Sequence, residues 1–215
     1  NKGLYSIERT NVNSKDIVTR LYPFGSEQNL PKGYRNNSKR LQIEGAYIEN
    51  NTSLYGIIES SQTFEEIKPE RTGTISAVNG SDVLEFTDSS MDFDINATDE
   101  GGNTTVLIPG TTAKIHFQTG DLAGYEFELS SYNHATKTFR LVKFTDEVAY
   151  DLPSSTLKPR VGDKYIILDI YMPATYVTDA EARLLAKAQE SLAQNSVPNV
   201  AYNVEPDPLF IKRLG

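Results

Sequence analysis

The sequence TAKIHFQTGDLAGYEFELSSYNHATKTFRLVKF, residues 112–144, carries the strongest indication of the fold class of this chain. Within residues 112–118, Ala113, Ile115 and Phe117 occupy alternate positions, with polar side chains between them. Successive side chains of a β-strand point to opposite faces, so this period of two predicts a half-buried strand.

Two more strands are predicted in the same stretch. Residues 125–129 alternate between apolar and polar side chains, and residues 138–144 contain aromatic and β-branched residues of the kind that favour strands. Residues 133–136 lie between these segments and have the composition of a turn. The pattern therefore predicts a β-hairpin.

Short strands with turn residues between them also precede this stretch. Residues 72–78 end at Asn79-Gly80, a dipeptide typical of two-residue hairpin turns, and residues 82–87 follow it. Residues 92–96 again alternate between polar and apolar side chains. Regular spacing of short strands predicts a small β-sandwich or barrel over residues 70–161.

The C-terminal part adds one buried strand and one clear helix. Residues 165–171 are almost continuously apolar, which suits a buried strand. Thr178 and Glu181 have the spacing of a capping box, which predicts the start of a helix, and Asn195 and Pro198 predict its end. The predicted helix has an apolar stripe formed by Leu184, Leu185, Ala188 and Leu192.

The N-terminal part has weaker patterns. Residues 16–22 read as a strand that ends at Pro23, because proline cannot donate a ladder hydrogen bond. Residues 61–67 fit a short helix or a turn equally well, and residues 207–213 predict the start of a further helix. The chain is therefore predicted to be mainly β, of the α+β kind, with one C-terminal amphipathic helix.

Composition limits the classes of function. The chain of 215 residues has 29 acidic against 21 basic side chains and a net charge of −8, which argues against a nucleic-acid surface. It has no Cys, which excludes thiol catalysis, disulfides and Cys-ligated zinc, and its two His are too few for a three-His zinc site. No apolar run approaches the roughly 20 residues of a membrane-spanning helix, so membrane insertion is not expected.

One acidic motif invites comparison with a calcium loop. Asp92, Asp94 and Asn96 match the first three ligand positions of such a loop. The match fails at Ala97, where glycine is needed, and at Asn103, where a bidentate acid is needed. The same spacing is that of the outer face of a strand, so no metal site is predicted.

The sequence shows no catalytic motif. His116 and His134 have no Ser or Asp partner fixed by a motif, and the nucleophile-elbow pattern G-x-S-x-G does not occur. We therefore expect no catalytic residue and no cofactor. Four aromatic residues are candidates for stacking on a sugar ligand, although the alternating strands favour a core position for most of them: Tyr125, Tyr132, Phe139 and Tyr150.

Several segments resemble one protein family. These are VTRLYPFGSEQNLPKGY (18–34), RLQIEGAYIEN (40–50), LYGIIESSQTFEEIKPERTGTISAV (54–78), GDLAGYEFELSSYNHATKTFRLV (120–142) and LKPRVGDKYIILDIYMPATYVTDAEARLLAKAQESLAQNSVPNVAYNVEPDP (157–208). Together they cover most of the chain and are similar to tail hub and tail-associated baseplate proteins of bacteriophages and prophages, particularly prophages of Bacteroides-type bacteria.

The resemblance implies a structural role in the virion tail, made in the bacterial cytoplasm. Hub proteins of this family form a ring, typically a trimer, that continues the tail tube, so the implied partners are further copies, other tail proteins and a host-surface glycan. It also implies that residues 1–69 plus 162–215 form a discontinuous hub-like domain and that residues 70–161 are inserted into it. Some members carry a lytic enzyme further towards the C-terminus, and we expect this chain, which opens on Asn1, to be a piece of a longer polypeptide.

Two alternatives remain beside the structural role. One is a carbohydrate-binding β-module that uses the exposed aromatics. The other is a glycosidase domain that acts through two carboxylates, although no pair stands out among the 29 acidic residues.

Overall fold

The computed structural model describes residues 4–9, 17–145, 151–197 and 202–206. Its elements, in chain order, are β1 (Leu4–Arg9), β2 (Arg20–Gly25), β3 (Ile48–Glu49), α1 (Thr52–Tyr55), β4 (Glu59–Phe64), β5 (Gly73–Thr74), β6 (Ala77–Val78), β7 (Glu85–Thr87), β8 (Lys114–Phe117), β9 (Glu126–Asn133), β10 (Thr138–Leu141), β11 (Phe144–Thr145), β12 (Asp151–Leu152), β13 (Lys164–Leu168), α2 (Ala174–Asn195) and β14 (Tyr202–Pro206). The prediction of a mainly β chain with one long C-terminal helix is confirmed. Neither helix in these ranges is long and apolar enough to span a bilayer.

The largest element is a seven-stranded antiparallel sheet in the order β5-β13-β8-β9-β10-β7-β6. Its two edge strands, β5 and β6, are separated by only Ile75 and Ser76. Three residues of extended chain reach at most about 11 Å, so the two edges must come close together. The backbone N–H of Ile75 donates to Asp163 and that of Ser76 donates to Thr87, which ties this segment to both ends of the sheet. The sheet is therefore curved into a half-barrel bridged by residues 75–76.

Aromatic side chains fill the concave side of this half-barrel. Phe86 stacks on Phe139 with ring centroids 5.0 Å apart, and both rings meet Tyr165 edge to face. Phe117 contacts Phe86 and Phe127, also edge to face. All five rings are buried, so they form a packed core.

The predicted central strands are confirmed, although β9 extends to Asn133 and β10 ends at Leu141 instead of residue 144. In β8, Ile115 and Phe117 are buried, and the intervening Lys114 and His116 face outward. β9 and β10 form the expected antiparallel hairpin, with Thr138 opposite Asn133 and Phe139 opposite Tyr132. The β6–β7 hairpin also forms, but its loop spans residues 79–84 and not the two residues predicted.

The N-terminal strand differs from its prediction, because β2 runs through Pro23 to Gly25. β2 lies in the middle of a three-stranded sheet with the order β3-β2-β4. β3 pairs only with Arg20 and Leu21, so the missing N–H of Pro23 removes no bond from that ladder. The segment 61–67, left undecided between helix and turn, lies largely in β4.

The helix α2 begins four residues before the predicted capping box. The Pro173 carbonyl accepts the first helical N–H groups, from Tyr176 and Val177. Thr178 thus lies inside the helix, where its hydroxyl donates to the Ala174 carbonyl. The Glu181 carboxylate accepts a hydrogen bond from Arg35, so the two residues do not form the predicted capping box. The predicted end at Asn195 is confirmed. Of the predicted stripe, Leu184, Ala188 and Leu192 are buried, whereas Leu185 is exposed.

The predicted strand at residues 92–96 is wrong, because this segment is a turn. The Asp94 carboxylate accepts the backbone N–H of Asn96, which closes a local side-chain turn and competes with strand pairing. Ile95 is buried and Phe93 is only partly buried, so the two alternating apolar residues do not mark one buried face of a strand. Residues 207–213, where a helix was predicted, lie outside the described residues.

The chain divides into two compact units. One comprises Asn1–Pro23, Glu44–Gln62 and Leu185–Gly215, and the other comprises Phe24–Ile43 and Thr63–Leu184. The half-barrel lies entirely in the second unit. The first contains the antiparallel pair β1–β14 and most of the three-stranded sheet. The predicted division at residues 69 and 162 stays a prediction.

Candidate functional site

Two of the four candidate stacking aromatics belong to the core. Phe139 is fully buried and Tyr132 is 6% exposed, and their ring centroids lie 4.7 Å apart. Burial raises the pKa of Tyr132 to about 12, and its hydroxyl lies 3.2 Å from Nδ1 of His134. These two rings have no free face for a sugar, so their assignment as ligand contacts is corrected. Tyr125 is 45% exposed, and Tyr150 lies outside the described residues.

A β-bulge in β9 explains why Tyr132 faces the core. Arg140 pairs with Ser131, but the next residue, Leu141, pairs with Leu129, so one residue of β9 is left over. Such a bulge reverses the alternation of faces along a strand. Phe127, before the bulge, and Tyr132, after it, therefore both face the core, although they stand five positions apart.

The residues of the rejected calcium motif are engaged in the fold. The Asp92 carboxylate pairs with Arg71 at 3.0 Å and accepts the Tyr176 hydroxyl at 2.6 Å. The Asn96 amide donates to the Tyr132 carbonyl. Over the described part of the chain, no group of three or more His, Cys, Asp or Glu side chains is arranged to hold a metal ion.

A buried ion pair lies beside the aromatic core, and sequence reasoning did not find it. The fully buried Asp88 carboxylate accepts hydrogen bonds from Arg71 at 2.8 Å and from the Tyr165 hydroxyl at 2.9 Å. Its other oxygen accepts the backbone N–H and the hydroxyl of Ser90. Burial alone would raise the pKa of Asp88, but the bonds from Ser90, Arg71 and Tyr165 together hold that pKa below its ordinary value. The network joins segments 77 positions apart, and no local pattern signals it.

The convex side of the half-barrel carries a groove above strand β9, which we call the β9 groove. Glu126 and Glu128 project outward on either side of the buried Phe127. The groove has a volume of about 400 Å³. Its lining consists of Lys114, Glu126, Phe127, Glu128, Val142, Lys143 and Phe144.

A second, polar groove lies on the other side of Glu126. Its lining includes His116, Glu66, Lys68 and Glu70, and its volume is about 320 Å³. Nδ1 of His116 lies 3.5 Å from the Glu126 carboxylate, is closed off from solvent and makes no hydrogen bond within the described residues. His134, the other histidine weighed for catalysis, lies in the β9–β10 turn beside Tyr132.

The first unit displays an apolar surface around helix α1, which we call the α1 surface. It consists of Leu54, Tyr55 and Ile57, three exposed side chains within four positions of the chain. Leu54 is 71% exposed and Ile57 is 59% exposed, and α1 contains no buried residue. The composition of residues 55–59 is typical of a strand, and a strand of a sheet commonly buries one of its faces. The exposure of these side chains could therefore not be predicted from the sequence.

Comparisons of this chain with protein-family models, with curated proteins and with solved structures found no match.

Proposed function

We propose that this chain is a structural subunit of a bacteriophage tail hub or tail tip, where it continues the tail tube together with neighbouring copies and other tail proteins. The family is suggested by the resemblance of residues 18–34, 40–50, 54–78, 120–142 and 157–208. The proposal assigns no catalytic step to the described residues.

The α1 surface is the observation that supports an assembly role. Short helices are marginal in water, and in proteins they gain most of their stability by burying an apolar face. α1 buries none of its residues within the described chain, yet it presents Leu54 to solvent. Clustered exposed apolar side chains mark interaction sites far more often than scattered ones do. A neighbouring subunit would supply the missing burial.

Charged side chains border the α1 surface in the pattern of an interface rim. Arg20 forms ion pairs with Glu49 at 2.6 Å and with Glu59 at 2.8 Å, and its guanidinium lies 4.6 Å from the centre of the Tyr47 ring. The Tyr22 hydroxyl donates to the same Glu59 carboxylate. Protein interfaces combine an apolar centre with a polar, hydrated edge, and this arrangement fits that anatomy.

Location in the particle tests the proposed function directly. An antibody raised against the full chain would be applied to particles released from an induced culture of the strain that carries the gene, and bound gold label would be viewed by electron microscopy. We expect label at the distal end of the tail, and none when the gene is deleted. Intact tails without label, with the protein recovered elsewhere in the cell, would contradict the proposal.

A paired substitution tests the α1 surface. Leu54→Ser with Ile57→Ser should leave the melting temperature of the isolated chain almost unchanged, because exposed positions contribute within about 0.5 kcal/mol. The same change should abolish or strongly reduce incorporation into tails. Leu157→Ser with Val161→Ser is the matched control, since both side chains are also exposed but lie in the other unit. If both variants are incorporated equally well, the α1 surface is not an assembly interface.

A further inference from the structure

The β9 groove has one wall made of exposed apolar side chains. Phe144 is 45% exposed and Val142 is 41% exposed. The Val142 N–H donates to the Glu128 carbonyl, so this wall is held against strand β9 by a backbone hydrogen bond. Phe144 is in turn fixed by its pairing with Leu152 across β11 and β12. The groove thus has an exposed aromatic residue at its border whose backbone is held by strand pairing.

Two carboxylates form its floor. Glu126 and Glu128 lie two positions apart on the outer face of one strand, which places their Cα atoms about 7 Å apart. Among the residues that the structure describes, the Glu128 carboxylate has no hydrogen bond or ion pair, and Glu126 has only the 3.5 Å approach of His116. Both can therefore accept hydrogen bonds from a ligand.

The cations of the groove are already neutralised. Lys114 lies opposite Glu128 in the ladder, but its ammonium group is 3.4 Å from the Asp169 carboxylate. Lys143 pairs with Asp151. The groove therefore offers acceptors and an aromatic face but little net attraction for an anion. A fitting ligand has hydroxyl donors, a flat apolar face and no negative charge.

We propose that the β9 groove binds a neutral saccharide. The C–H face of a pyranose ring packs on Phe144, and its hydroxyl groups donate to Glu126 and Glu128. Pockets for small ligands have this composition, with apolar walls and a few convergent polar groups, and volumes from about 300 Å³ upward. The biological setting, contact with a host surface, rests on the proposed tail function, whereas saccharide binding itself does not.

The test uses the purified full chain on an array of neutral glucose, galactose and mannose oligosaccharides, with sialylated and uronic-acid oligosaccharides beside them. Calorimetry then gives Kd for the strongest neutral ligand. Phe144→Ala should weaken binding at least about tenfold, the usual size of a central contact. Glu128→Gln should weaken it less, since the amide oxygen still accepts. Tyr125→Ala is the matched control, because that ring is equally exposed but does not line the groove.

The outcomes separate clearly. Binding lost in Phe144→Ala and kept in Tyr125→Ala, with both variants melting like the unmodified chain, supports the assignment. No neutral ligand on the array, preference for acidic sugars, or equal loss in Tyr125→Ala overturns it. Hydrolysis of the bound oligosaccharide, lost in Glu128→Gln, would also overturn it, in favour of a glycosidase. Absence of label from phage tails would overturn the tail function while leaving a measured saccharide affinity intact.

Discussion

Replacing Asp88 by Asn should destabilise the half-barrel strongly, because it leaves the charge of Arg71 buried without its partner. Both side chains are buried, and the pair is 2.8 Å apart. Removing one partner of a buried ion pair costs about 3–5 kcal/mol, since the remaining charge cannot be hydrated. Asp92 also pairs with Arg71 at 3.0 Å but is half-exposed, so it compensates in part. We therefore expect the lower end of the range, about 3 kcal/mol.

Thermal and urea unfolding, followed by circular dichroism, measure this loss. For a chain of this size, about 3 kcal/mol corresponds to a fall in Tm of roughly 6–12 °C. Asp82→Asn is the matched control, because Asp82 pairs with Arg140 at 2.7 Å on a partly exposed site, and such pairs contribute about 0.2–1 kcal/mol. If Asp88→Asn costs no more than Asp82→Asn, the buried pair does not stabilise the fold in the way argued.

A triple replacement tests whether the unpaired charge of Arg71 causes the loss seen in Asp88→Asn. Arg71→Met, Asp88→Leu and Tyr165→Phe together remove both charges and the hydroxyl that donates to Asp88. Apolar replacements of buried ion pairs are often neutral or stabilising, so the triple variant should recover most of the loss seen in Asp88→Asn. A triple variant as unstable as the single one would contradict the assignment of the loss to the unpaired charge of Arg71.

The same pair sets a pH dependence with a defined sign. Because the pKa of Asp88 is lower in the folded chain than its ordinary value of about 3.9, the folded state holds the carboxylate charged. Its contribution to stability is complete above about pH 4 and is lost as the pH falls through the depressed folded value. The stability difference between the unmodified chain and Asp88→Asn should thus be constant at neutral pH and shrink below about pH 4. A difference that is unchanged down to pH 2 would contradict this linkage.

Two further substitutions test how the half-barrel is closed and anchored. Gly73→Ala should cost about 1–3 kcal/mol in unfolding experiments, because a Cβ there would lie 2.4 Å from the buried Tyr165 ring, whereas Gly80→Ala, with open space around it, should cost far less. Asn29→Ala should cost about 1–3 kcal/mol, since its buried amide donates to the Pro69 and Ile167 carbonyls. Asn37→Ala is its control, because Asn37 is exposed and shares the left-handed backbone; equal losses would assign the effect to backbone strain alone.

The strands of the half-barrel could be predicted because their information is local. In residues 112–118, apolar and polar side chains alternate, so the face of the strand on which each side chain lies can be predicted from the residues two positions away. The structure has the predicted alternation. The closure of the sheet could not be predicted in this way. β5 and β6 look like one continuous strand in sequence, yet they pair with β13 and β7, which are far apart in the chain.

Competing local signals explain the wrong helix start. Thr178 and Glu181 satisfy the capping-box spacing, but Pro173 ends the preceding segment and offers a free carbonyl just before Ala174. The helix gains a further turn by starting there. The Glu181 side chain is then free to bond Arg35 and Tyr34, and these contacts, about 146 positions away in sequence, override the local cap.

The β9 groove also could not be predicted from local sequence patterns. The alternation of Glu126 and Glu128 about Phe127 is visible in sequence, but their acidic face becomes a groove only because residues 142–144 are bonded alongside it. The β9 bulge turns Tyr132 inward and buries it against Phe139, so this one of the four candidate aromatics does not lie at the surface. Phe144, three residues beyond the end of β10, is exposed. The inserted residue in β9 therefore decides that Tyr132 belongs to the core and is not a ligand contact.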